Sequence, residues 1–127
     1  MDASMENRLM GLMGLCVRAR QAVFGEDGCL KTIRNGSCGV LLLDSGASQA
    51  TKEKYRGACN HAGVPLELLP EGLLHDATGK PGMAMAVLTG GLANQIRQLL
   101  SGQPTQEKAR KMKPTNSGNN GGGASVE

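Results

Sequence analysis

Apolar positions along the chain change period several times, and each change marks an element. Between residues 4 and 17, Leu9, Leu12, Met13 and Cys16 recur at i, i+3, i+4 and i+7. That spacing predicts a helix with one apolar stripe, which Ser4 is placed to cap. Gly11 and Gly14 fall inside it. Each costs about 1 kcal/mol relative to Ala in a helix, so close packing against a neighbour is the expected reason. Gln21 to Phe24 is a short apolar stretch, read as a strand that Gly25 ends. Glu26 to Asn35 reads as a second helix, with Cys29, Leu30 and Ile33 toward the core. Acids occupy its first turn, Lys31 and Arg34 lie toward its end as the helix dipole prefers, and Asn35-Gly36 is a stop.

Gly39 to Leu43 is a continuous apolar run ending at Asp44, the pattern of a strand buried on both faces. Ser48 caps a third predicted helix to Ala62, with Thr51, Tyr55, Ala58, Cys59 and Ala62 on one face and Gly63 closing it. Val64 to Leu69 is a third strand, in which Pro65 fits only near the start. Pro70 and Glu71 open a short helix holding Leu73, Leu74 and Ala77. A glycine-bounded loop, Gly79 to Gly82, leads into a last strand, Met83 to Leu88, and Leu92, Ile96, Leu99 and Leu100 mark a final helix. Helices alternating with short strands imply an α/β domain with helices on both faces of a sheet, over residues 4–101. The periodicity then stops. Residues 102–127 contain Pro, Lys, Asn, Ser and three consecutive glycines, Gly121 to Gly123. Such a segment buries too little apolar surface to offset its ordering entropy and is expected to be a disordered tail.

Composition narrows the function. The chain has 127 residues, no Trp, one Tyr (Tyr55) and one Phe (Phe24). The core must therefore come from aliphatic side chains, and stacking bases on an aromatic platform has almost nothing to work with. Net charge is +3, divided as +1 over residues 1–101 and +2 over residues 102–127. So small a charge makes the placement of the cations, not their number, the test for a polyanionic partner. Cys16, Cys29, Cys38 and Cys59 form no CxxC pair and sit on or beside apolar positions. They read as core-filling thiols of a reducing compartment. With no signal peptide and no apolar run near ~18 residues, the expectation is a soluble cytoplasmic protein without a membrane partner.

Little in the chain suggests catalysis. Cys59 and His61 bring two metal-ligand types together, yet zinc takes about four ligands in register and no second pair is evident, so no metal is expected. Neither a P-loop nor G-x-S-x-G occurs, and no Ser–His–Asp arrangement is legible. No catalytic residue and no cofactor are expected.

Several short matches, in order, carry a resemblance. Arg18-Ala19-Arg20-Gln21 stands where one family has a basic R-x-G-K run. Gly25-Glu26-Asp27-Gly28-Cys29-Leu30-Lys31 stands on its G-x-N-E-x-x-K segment. The Asn35-Gly36 turn, the run GVLLLD, Ala58-Cys59, Gly63-Val64-Pro65, Leu74-x-x-Ala77-x-Gly79 and Met83 to Leu88 follow at matching spacing. Over about residues 5–100 the chain resembles the kink-turn-binding ribosomal protein superfamily of archaea and eukaryotes, the L-seven-Ae, L-thirty-e and Gadd45-like group, and more closely its bacterial YlxQ-like branch. Asp27 and Gly28 replace the family's Asn-Glu pair, and Arg20 and Gln21 replace its Gly and Lys. Asp27 keeps an acceptor without the amide donor, and Gly28 has no side chain.

The resemblance implies a single-domain three-layer α-β-α sandwich: a mixed four-stranded sheet flanked by about five helices. It also implies binding of structured, kink-turn-like RNA, ribosomal or other non-coding, through the start of the second helix and the loop before the last strand. The ribosome or translation-associated proteins are further implied partners. The residues fit such a use. A helix N-terminus offers unpaired N–H groups, and Gly25 removes a Cβ where RNA backbone approaches. Lys31 and Arg34 project near one another, and Arg18 and Arg20 add charge. Glu26 and Asp27 suit the amino groups of base edges. In Lys80-Pro81-Gly82-Met83 a cation and an apolar cap stand ready for an unstacked base. Bland readings stand beside these: a helix-starting glycine, acids that complement the dipole, a solvated cationic face, a core methionine. Lys108, Arg110, Lys111 and Lys113 in the tail either add sequence-independent RNA affinity or only solubilise. Two other uses of the same fold remain open: a protein-interaction module, and a substrate-binding partner of an RNA-modifying enzyme.

Overall fold

The apolar run GVLLL becomes the middle of β2 (Cys38–Asp44), and the rest of the domain is built on its two faces. A computed structural model describes residues 2–101; the tail expected over 102–127, with its four cations, lies outside the described residues. Along the chain follow α1 (Ala3–Arg18), β1 (Ala22–Phe24), α2 (Glu26–Arg34), β2, α3 (Gln49–Ala62), β3 (Leu66–Leu69), α4 (Leu73–Thr78), β4 (Ala84–Leu88) and α5 (Gly91–Ser101). The strands lie in the order β1-β4-β2-β3. β2 and β3 are parallel, while β4 runs antiparallel to both β1 and β2. This is the expected α/β architecture with a mixed four-stranded sheet and five helices.

Side chains alternate along a strand, so β2 feeds two cores. Val40 and Leu42 pack with Leu9, Met13 and Cys16 of α1, Leu74 of α4 and Ile96 of α5. Leu41 and Leu43 pack with Cys29 and Ile33 of α2 and Tyr55 and Cys59 of α3. All four β2 side chains are fully buried, each worth roughly 1.5–3 kcal/mol relative to exposure. β4 divides its faces by size: Met85 and Val87 point to the first core, Ala84 and Ala86 to the second. The small side chains leave room for α2 to lie close to the sheet.

Most termini follow local chemistry. Ser48 Oγ accepts from the Thr51 N–H at 3.2 Å, and Gly63 closes α3 in the left-handed region. α1 differs from expectation: Asp2, not Ser4, caps it, accepting from the Met5 N–H at 2.8 Å. β3 starts at Leu66, two residues later than expected, since Pro65 has no N–H and contributes only its carbonyl, to Leu41 N at 2.9 Å. Pro70 and Glu71 form a turn ahead of α4, which begins at Leu73. Met83 precedes β4 and is 45% exposed, so it is not a core residue.

Candidate nucleic-acid interface

β1 pairs antiparallel with β4, with Phe24 opposite Met85. The chain leaving β1 at Gly25 and the chain entering β4 at Met83 therefore emerge at one end of the sheet, side by side. Gly25, Glu26, Thr51, Tyr55, Gly82, Met83 and Ala84 line a small pocket of about 230 Å³ there. That is below the roughly 300–1,000 Å³ of a small-molecule site and suits one ring system better than a whole nucleotide. Tyr55 is buried and forms its floor, so it does not serve as a stacking platform.

Two backbone conformations build the rim. Gly25 has φ 88 and ψ 146, and Gly82 has φ 108. A side chain is strained at both positions. Gly25 is the N-cap of α2 and supplies no side-chain acceptor. The first amides of the helix thus stay without a local cap beside the pocket. At the other rim, Lys80, Pro81, Gly82 and Met83 are all exposed. The loop is tied at its start, where the Lys80 N–H donates to Thr78 Oγ1 at 3.1 Å and His75 Nδ1 lies 3.3 Å from the Lys80 carbonyl. It is tied at its end, where the Asp44 N–H donates to the Met83 carbonyl at 2.7 Å.

Asp44 does more than close that loop. It is 5% exposed, the one buried charged side chain among the described residues. Its Oδ1 accepts from the Gly46 N–H at 2.7 Å and its Oδ2 from the Gly72 N–H at 3.1 Å. One residue therefore joins the end of β2, the start of α4 and the loop into β4.

The charged residues of α2 separate into two roles. Glu26 Oε2 meets Lys54 Nζ of α3 at 2.6 Å, so its carboxylate is already engaged. Asp27, Lys31 and Arg34 are exposed and fall within about 60° of one another at 3.6 residues per turn. Gly28 faces the sheet: a Cβ there would stand 2.9 Å from Val23 Cγ1, so α2 sits closer to β1 than a longer side chain allows. Arg18 and Arg20 are placed apart from the pocket. The Arg18 guanidinium lies over Gly14 beside the Ala77 carbonyl, at the end of α4. Arg20 precedes β1 and Gly25 follows it, so the strand separates them.

Burial raises the thiol pKa of all four cysteines, that of Cys38 to about 12 and that of Cys59 to about 11. These are inert core groups. Cys59 is buried and His61 exposed, so the two face different sides of α3. No cluster of three or more metal-ligating side chains occurs among the described residues, and none of their helices is long and apolar enough to cross a membrane.

The sequence reading missed Lys54 and Asp44. Lys54 meets Glu26 across a separation of 28 residues, for which no local signal exists. Asp44 had one: Asp-Ser-Gly after an apolar run is an Asx-turn pattern, and the i to i+2 bond to Gly46 fulfils it.

No family model matches the chain. RNA-binding protein YlxQ of Bacillus subtilis is 37% identical over 91 residues, covering 70% of this chain and 91% of that protein. RNA-binding protein YlxQ of Enterococcus faecium is 28% identical over 103 residues, covering 80% of this chain and all of that one. A protein of unknown function from Bacillus halodurans superposes with a TM-score of 0.69 at 28% identity, over 73% of this chain and 96% of that one. A 15.5 kD RNA binding protein of Giardia lamblia shares the fold alone, with a TM-score of 0.64 at 16% identity over 80% of this chain and 88% of that one. At 37% identity over 91% of the Bacillus subtilis protein, and on this fold, the chain belongs to the YlxQ family.

Proposed function

We propose that the chain is a non-enzymatic RNA-binding protein of ribosomal-protein type that grips a bulged, kink-turn-like RNA where α2 begins and the 79–83 loop ends. The observation that carries this is the meeting of those two elements at one open rim: Gly25 and Glu26 on one side, Gly82 and Met83 on the other. Relatives bearing the name RNA-binding protein support it. The amides of α2 receive a phosphate, Met83 covers the face of an unstacked base, and Lys80 lies against the backbone. Asp27, free of Lys54, accepts from a base amino group; it stands where the family has the Asn of its Asn-Glu pair and lacks that residue's amide donor. Lys31 and Arg34 continue the contact along α2, and Arg18 and Arg20 act at longer range. The setting is the reducing cytoplasm, with structured non-coding or ribosomal RNA as partner.

The test compares two hairpins by fluorescence anisotropy near 0.1 M salt. One has a bulge flanked by tandem sheared G·A pairs; the other is fully paired. The bulged hairpin binds more tightly. Met83→Glu, at an exposed site, weakens it by roughly tenfold, the lower range of a base contact at about 1–3 kcal/mol, and Lys80→Ala, also exposed, weakens it and makes its salt slope shallower by about 0.7–0.9. Equal affinity for both hairpins, or unchanged binding in both variants, refutes the reading.

A further inference from the structure

The Glu26–Lys54 ion pair stands at the edge of the pocket, and beyond it the face continues. A groove of about 690 Å³ runs between α2 and α3, with Arg34, Lys54 and His61 along its sides and Ile33 and Ala58 beneath. No carboxylate lines it; the acid nearest to it in the chain of contacts is Glu26, already held by Lys54. Every polar side chain in the groove donates: a guanidinium, an ammonium and an imidazole N–H. Its apolar floor is Ile33, Ala58 and Ala62, with no aromatic side chain, so the three donors are its main recognition chemistry.

We propose that this groove binds the phosphate backbone of the RNA whose bulge occupies the pocket, with Arg34, Lys54 and His61 as its contacts. The inference rests on the RNA reading above and extends it to two residues, Lys54 and His61, that neither the motifs nor the pocket assigned. The groove is lined by the last turn of α2 and by α3 from Lys54 to Ala62, about 12 Å at 1.5 Å per residue, enough for neighbouring phosphates of one strand. The ion pair gives the track a built-in exchange. Lys54 and Glu26 are about half exposed, and such a pair contributes little stability. Lys54 therefore leaves Glu26 for a phosphate at small cost. Arg34 and His61 also stand in the last turns of their helices, where cations offset the carbonyl ends; that alone would give them a purely structural role.

Salt titration separates the two. Binding of the bulged hairpin is measured from 0.05 to 0.3 M salt for the full chain and for Arg34→Gln, Lys54→Gln and His61→Gln, with Met83→Glu in parallel. Each lost phosphate contact makes the slope of log K against log salt shallower by about 0.7–0.9. Arg34→Gln and Lys54→Gln produce that change, and His61→Gln a smaller one. The preference for the bulged over the paired hairpin stays as it was, because backbone contacts carry no sequence information. Glu26→Gln frees Lys54 and tightens binding. Slopes equal to the parent's in Arg34→Gln and Lys54→Gln, with Met83→Glu still weakening the hairpin, overturn the groove and leave the pocket standing. Slopes unchanged while affinity for a polyglutamate peptide falls also overturn it, in favour of an acidic protein segment. A parent chain that binds neither hairpin overturns both proposals.

Discussion

Replacing Asp44 probes the joint behind the interface. Its carboxylate takes two backbone N–H groups, Gly46 at 2.7 Å and Gly72 at 3.1 Å, in a nearly closed environment. A hydrogen bond to a charged group contributes about 1.5–3 kcal/mol net, and an N–H left buried without a partner costs about 1–3 kcal/mol. In Asp44→Asn the side-chain oxygen can serve one of the two amides, while its NH₂ faces the other, donor against donor. One bond is lost, and about 2 kcal/mol of stability with it. Asp44→Ala loses both, and about 3–4 kcal/mol. A domain of this size has about 5–15 kcal/mol in total, and 1 kcal/mol moves its midpoint by roughly 4–8 °C. Asp44→Asn should thus lower Tm by about 10 °C, and Asp44→Ala should leave the domain marginal. Urea denaturation followed by circular dichroism measures both, and native-state amide exchange locates the effect, with Gly46 and Gly72 exchanging faster. A midpoint for Asp44→Asn within about 0.5 kcal/mol of the parent would show that water satisfies these amides equally well, and the account of Asp44 as a joint would fail.

Two further outcomes follow from backbone strain and buried acids. Arg20 has φ 59, in the left-handed region, which costs a side-chain-bearing residue roughly 1–2 kcal/mol. Glycine removes that strain and returns part of it as unfolded-chain entropy, so Arg20→Gly raises stability by about 0.5–1 kcal/mol; a lowered urea midpoint contradicts the reading. Cys38 and Cys59 ionise near 12 and 11 when folded, against an ordinary value of 9. For an acid whose folded pKa is raised, stability is intact below the unfolded pKa and declines as pH rises through the window above it. Each thiol therefore removes about 1.4 kcal/mol by pH 10, and the buried Tyr55 phenol, also raised, acts in the same direction at higher pH. A Tm that stays level from pH 8 to 10, or rapid native-state alkylation of these thiols at pH 8, contradicts their burial.

Local patterns announced most elements because local chemistry decides them. The β2 run, the Ser48 cap and the Gly63 stop all act within a few residues, and the structure places them as read. The α1 start was less legible. Asp2 and Ser4 are both good capping residues, and only the path of the incoming chain selects Asp2. Gly11 was expected to admit a neighbour, yet a Cβ there meets open space, while at Gly14 it would touch Arg18 and Ala77 at ordinary distance. Helical spacing shows that a glycine interrupts a stripe without showing what faces it. At the interface, the segment from Gly25 to Arg34 and the 80–83 loop were legible from local pattern as two separate candidates, and only the resemblance implied that they lie side by side. Their adjacency came from antiparallel pairing of β1 with β4, which no local pattern encodes. The same limit hid Lys54, whose partner is remote in sequence, and grouped Arg20 with residues at the far end of a strand.

The ladder joining the two halves of the interface has only three residue pairs, Ala22–Val87 to Phe24–Met85. β1 is also an outer strand, so among the described residues no strand pairs with its free edge. Short peripheral pairings open at a fraction of the free energy of global unfolding. The grip can therefore loosen and reclose many times within the lifetime of one native molecule. On the proposed reading, substitutions in β1 retune how long an RNA strand stays while leaving the melting point of the domain almost untouched.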